Sequence, residues 1–121
     1  MSPIKRFLYC ISVVSAALLF SSCASKQAIN VKIHTDPEGS HIVYRVENNL
    51  DEPWIYLGIT PYQGVTLMDS SAFEEDSMIS FKVMRHGYLD QVKQWTGVQF
   101  LEEYDDEGLL LWTPRLVKAG Q

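Results

Sequence analysis

Cysteine and histidine are scarce in this chain of 121 residues, two of the first and three of the second. Cys10 lies inside an apolar stretch and Cys23 ends it, so the domain that follows has no pair to oxidise and no disulfide framework. Long hydrophobic runs are also missing. The longest, residues 7–20, has fourteen residues, whereas about twenty are needed to cross the hydrocarbon core of a bilayer. Positive charge is scarce, with ten Lys and Arg against fifteen Asp and Glu for a formal net charge of −5. Without Lys5 and Arg6, which precede the apolar stretch, eight basic residues face fifteen acidic ones, a net −7. A surface of that sign repels phosphate backbones and anionic headgroups, which argues against nucleic-acid partners and electrostatic membrane docking. No serine stands in a nucleophile elbow and no glycine-rich phosphate loop occurs, so no catalytic residue can be singled out.

What is present begins with a targeting pattern. Lys5 and Arg6 form a positive n-region, residues 7–20 an apolar h-region, and small Ser21 and Ser22 precede Cys23. The run Leu19-Phe20-Ser21-Ser22-Cys23 resembles a lipobox, with Phe20 where that family usually has leucine. The resemblance implies that residues 1–22 are a cleaved lipoprotein signal peptide and that Cys23 is the lipidation site. Several acyl chains on one residue anchor stably, so the membrane is an expected partner through lipid alone. Ala24 follows the cysteine where aspartate would favour inner-membrane retention, which implies the outer membrane. Residues 23–29 are expected to be the lipidated N-terminus and a tether, reaching about 20 Å when extended.

Residues 30–119 read as one β domain, since about 99 residues remain after the signal and a second core would have no material. Val31 and Ile33 alternate with Lys32 and His34, the period of a half-buried strand. Asp36-Pro37-Glu38-Gly39-Ser40 has turn chemistry, and a second strand follows over 41–47. A polar loop spans 48–53, Trp54-Ile55-Tyr56-Leu57 reads as strand, and Gly58-Ile59-Thr60-Pro61 stops it. Val65 and Leu67 suggest a short strand, and 69–76 a polar loop in which 70–75 can form one helical turn. Ile79, Phe81 and Val83 alternate with Ser80 and Lys82 before a turn at His86-Gly87-Tyr88. Strands over 89–95 and 109–117 are expected to close the fold, separated by an acidic loop over 102–108. Six or seven short strands with regular turn signals predict an all-β sandwich or barrel.

Val31-x-Ile33-x-Thr35-x-Pro37-Glu38-Gly39-Ser40, then Gly58-Ile59-Thr60-Pro61, then His86-Gly87-Tyr88, resembles the PEGA domain in order and approximate spacing. Ser40 replaces the family's alanine, the 48–53 loop is longer than its usual hairpin, and the chain runs well past its end at Tyr88. The resemblance implies a prealbumin-like or immunoglobulin-like β-sandwich, found in exported envelope proteins and usually non-catalytic. Pro37, Gly39, Gly58, Pro61 and Gly87 are then structural turn residues.

Three constellations compete with that reading. His34 and His41 flank the first turn, but with Glu38 they remain one ligand short of a closed zinc site, so exposed histidines and no metal are expected. Five carboxylates over 102–108 suit a hard cation but lack EF-hand spacing, and a solvated acidic loop is the simpler reading. Trp54 and Tyr56 share a strand face and, with Asp105 and Asp106, are the candidate contact residues for a protein or a sugar ring. The expected function is a lipid-anchored envelope binding or scaffold module with no cofactor and no enzymatic activity, contacting an envelope protein or cell-wall glycan. The rival is a small envelope hydrolase, which requires a concave pocket with convergent polar groups and perturbed carboxylates.

Overall fold

The alternation of apolar and polar residues along the chain is converted directly into two facing sheets. The computed structural model describes residues 25–48 and 52–120. Its strands are β1 (Lys26–Ile33), β2 (His41–Glu47), β3 (Ile55–Ile59), β4 (Tyr62–Asp69), β5 (Met78–Met84), β6 (Gln91–Thr96) and β7 (Leu110–Trp112). One sheet has the order β4-β1-β7, with β1 antiparallel to β4 and parallel to β7. The other, β3-β2-β5-β6, is antiparallel throughout. Ile29, Val31, Ile33, Met68 and Leu110 of the first sheet face Ile42, Tyr44, Ile79, Phe81, Val83 and Trp95 of the second. Each such side chain contributes about 1.5–3 kcal/mol on full burial, and together they make the fold an all-β sandwich.

A helix, α1 (Gly97–Glu107), bridges the two sheets between β6 and β7. Thr96 caps it: its hydroxyl accepts from the Gln99 backbone N–H at 3.2 Å, and the Gln99 side chain accepts from the Thr96 N–H at 3.3 Å. Phe100 is fully buried, stacked 6.4 Å from Phe81 and edge-on to Trp95 at 5.5 Å. The Trp95 indole N–H donates to Glu103, and the Tyr104 hydroxyl accepts from the Asn30 N–H at 3.2 Å. The helix thus covers the side of the sandwich where β6 and β7 leave the core open.

This corrects the expected acidic loop over 102–108, most of which is the second half of α1. The capping box starts the helix, and Phe100 and Tyr104, four residues apart, give it one docked face while the acids point outward. The expected tether is also shorter. Residues 26–29 belong to β1 and pair with 66–69, because backbone pairing with β4 does not require apolar side chains. β4 is eight residues long where a short strand was expected. Gly58 lies within β3, opposite Ile42 beside a register shift, and the reversal itself falls at Thr60-Pro61. The segment past Tyr88 is no appendage, since Trp95, Phe100, Leu110 and Leu116 all enter the core. The last expected strand contracts to Leu110–Trp112, followed by isolated bridges at Arg115 and Lys118.

Register also assigns the two ends of the sandwich. Lys26 pairs with Asp69, Glu47 with Met78, and Met78 with Thr96, so these define a proximal end where β1 begins. Ile33 pairs with Tyr62, and His41 with both Ile59 and Met84, so the turns at 34–40, 60–61 and 85–90 define the distal end. The Asn48 side chain bonds Ser71 and Ser77, which places the start of the 48–53 loop at the proximal end.

Two glycines separate close packing from backbone conformation. A Cβ on Gly97 would sit 2.3 Å from the Ala72 carbonyl oxygen and 2.4 Å from that of Glu74, both main chain. Gly87 has φ +85° and nothing within 4 Å of a Cβ. Gly97→Ala is therefore expected to cost about 3 kcal/mol or more and Gly87→Ala about 1 kcal/mol, read by chemical denaturation. Equal losses would contradict the packing assigned to Gly97.

Candidate functional site

The densest polar constellation lies at the distal end, where the two most specific sequence motifs meet. Thr35, Ser40 and Thr60 are all buried. The Thr35 hydroxyl donates to the Pro37 carbonyl at 2.8 Å, which uses its only proton. Its neighbours must then donate to it, Thr60 from 2.6 Å and Ser40 from 3.1 Å. The Thr60 oxygen accepts in turn from the backbone N–H groups of Gly39 at 3.0 Å and Ser40 at 2.9 Å. Thr60 N–H donates to the Ser40 carbonyl, closing the ring of bonds. Pro37 and Pro61 follow cis peptide bonds at the two turns, and Gly39, at φ +101°, is in the left-handed region. Every proton in this cluster is committed, so these residues hold two turns together and leave no free hydroxyl nucleophile.

Glu38 belongs to the same turn. Its carboxylate accepts from the Thr35 N–H at 3.1 Å and lies 3.1 Å from His34 Nδ1. The Thr35 backbone bond holds its pKa below the ordinary glutamate range, with burial opposing and His34 assisting. His41 instead meets the Tyr56 hydroxyl at 2.9 Å. The two histidines weighed as a pair across the turn therefore serve different partners. No three His, Cys, Asp or Glu side chains converge among the described residues.

The candidate contact residues separate in space. Trp54 is half-buried under the Arg45 guanidinium, 4.3 Å from its ring centroid, with Lys82 at 5.5 Å. The ring is already engaged by these two cations, which ties Trp54 to β2 and β5 of the second sheet. Tyr56 is 56 % exposed on the same sheet. Asp105 and Asp106 lie in the last turn of α1, where no basic residue accompanies them and the helix dipole disfavours negative charge. Cys23 lies outside the described residues.

A slot of about 210 Å³ opens between the sheets at the β3 and β4 edges, lined by Tyr44, Val46, Ile55 and Met68 with Glu52 and Asp69 at its rim. Glu38, whose pKa is displaced, lies at the opposite end, so that carboxylate and this concavity are not one site. Sequence reading recognised Thr35 and Thr60 as parts of motifs but not as mutual partners. Their separation of 25 residues carries no periodic signal.

Two measurements check this assignment. Thr60→Val leaves the Ser40 N–H without its acceptor, while the Gly39 N–H keeps the Thr60 carbonyl at 3.1 Å. With the lost bond to Thr35 it is expected to cost about 2–3 kcal/mol, whereas Thr60→Ser keeps the oxygen and costs about 1 kcal/mol. A valine variant as stable as the serine one would remove the hydroxyl from its central role. For Glu38 the folded pKa is depressed, so its contribution exists above the unfolded value of about 4.3 and is lost as pH falls through the folded value. The melting-temperature gap between wild type and Glu38→Gln should therefore be present at neutral pH and close on acidification. A gap independent of pH would contradict the ionised contact.

No protein-family model, curated protein or solved structure matches the chain.

Proposed function

We propose that this chain is a lipid-anchored, non-catalytic binding or scaffold module of the bacterial cell envelope, a PEGA-like sandwich held at the outer membrane by lipid on Cys23. The carrying observation is the position of β1. It begins at Lys26, so only Ala24 and Ser25 separate it from Cys23, a reach of about 10 Å. Lipid at Cys23 therefore keeps the proximal end against the bilayer and turns the distal end outward. An eight-residue strand at about 3.3 Å per residue sets the two ends roughly 26 Å apart.

The motif residues support a contact role. Thr35, Ser40, Thr60 and Glu38 spend their polar groups on the turn backbone, as a frame for recognition requires. No helix among the described residues is long and apolar enough to cross a membrane, and lipid supplies the anchor without one. The partner is an envelope protein or cell-wall glycan. With Asn48, Glu52 and Pro53 at the proximal end, contact falls to the distal turns and to the exposed acids of α1, which stand where local helix stability does not favour them.

In cells fed labelled palmitate, the wild type is expected to incorporate label and sediment with membranes. Cys23→Ala should lose both, with an unchanged melting curve because position 23 precedes β1. Label retained by the alanine variant would overturn the anchoring.

A further inference from the structure

We infer that a cleft at the distal end, lined by Arg115 and Lys118 with Arg85 against the ring of its Tyr88, binds the carboxylates of cell-wall stem peptides; this deepens the proposed function and rests on it. Three segments meet there. Leu116 N–H donates to the Asp36 carbonyl at 2.8 Å, Leu89 N–H to that of Val117 at 2.8 Å, and Ala119 N–H to that of Gly87 at 2.9 Å. Asp36, Pro37, Tyr88, Arg115 and Lys118 line an open cleft of about 500 Å³. Arg85 lies over the Tyr88 ring, 5.2 Å from its centroid, and beside Gly39, where a Cβ would come within 3.4 Å of its Nε. The backbone bonds fix these segments before any ligand arrives, which lowers the ordering cost of binding.

Charge selects the ligand. Lys82, Lys93, Arg45 and His34 each lie within 4.0 Å of a carboxylate, whereas Arg85, Arg115 and Lys118 make no such pair among the described residues. Lys26 and Lys32 make none either, but stand singly on β1, so the three at the distal turns are the unpaired cations that gather. Of the acids nearby, Asp36 lines the cleft, Glu38 is held by Thr35, and Asp90 is paired with Lys82. Glu47, Glu52, Asp69, Glu74, Glu75 and Asp76 cluster instead toward the proximal end. The net −7 of the domain conceals this segregation. Guanidinium groups bind carboxylates through two parallel hydrogen bonds, and Asp36 can accept from an amine on the same peptide. A wall peptide carries both groups. The cleft opens on the side away from the lipid, where a wall polymer beneath the outer membrane would be met.

The test is co-sedimentation of the detergent-extracted full-length chain with purified wall sacculi. Wild type should pellet at low salt and be released as salt rises. Arg85→Gln, Arg115→Gln and Lys118→Gln should each weaken binding about threefold to fivefold, whereas Lys93→Gln, away from the cleft, should not. Amidation of the wall carboxylates should abolish pelleting. Equal binding to amidated sacculi, or a triple variant that pellets like wild type, overturns the proposal. So does a wild type that ignores sacculi while the triple variant loses a cross-linked envelope protein, an outcome that gives the cleft to an acidic protein segment. Palmitate labelling reads the anchoring separately, so failure of the cleft and failure of the anchoring are told apart.

Discussion

The hydroxyl of Thr60 is the point through which the distal half of the sandwich is joined. The chain passes from the first sheet to the second between β1 and β2, and back again between β3 and β4, at the same end. Both passages must bury polar backbone, and buried N–H groups without partners are costly. Thr60 accepts two of those N–H groups from the first passage while its backbone belongs to the second. Thr35 and Ser40 complete the set. The distal turns are thereby one rigid unit, and whatever they present is presented in fixed register.

A sandwich of three and four strands has edges of unequal width, and α1 compensates on one side. Phe100 fills the space beside Phe81 and Trp95 that a fourth strand of the smaller sheet would cover. Gly97 lets the start of the helix approach the main chain of residues 72–74. On the opposite side, between β3 and β4, no helix lies among the described residues, and a slot lined by Ile55 opens there.

The arrangement of charge gives the two ends different character. Acidic side chains gather where β1 begins and cationic ones where the distal turns meet, although composition records only an acidic protein. A short connection to Cys23 would give that polarity a direction relative to the membrane. Net charge governs solubility and long-range approach, whereas local charge governs what is held at contact.

The strands were legible because alternation is a local property. Ile79, Phe81 and Val83 specify one buried face wherever the chain is placed, and the all-β class follows from six or seven such segments. Turn positions were legible for the same reason, since Pro37 fixes φ and Gly39 and Gly87 admit the positive φ that their turns use. Less was legible where a partner distant in sequence decides. Residues 26–29 have no strong pattern and become strand only because β4 lies alongside. Residues 102–107 read as solvated acids, and become helix because Thr96 caps the segment and Phe100 finds a vacancy between sheets. The distal cleft left no trace in sequence, because Tyr88 and Arg115 are 27 residues apart and line it together only through bonds between Asp36, Leu89 and the segment 116–119. The sequence by itself determined the faces and the turns, through steric and hydrophobic preferences that act within a few residues. Only the tertiary structure decided the ends, the closing helix and the cleft, because pairing across long loops is set by the packing of the whole core.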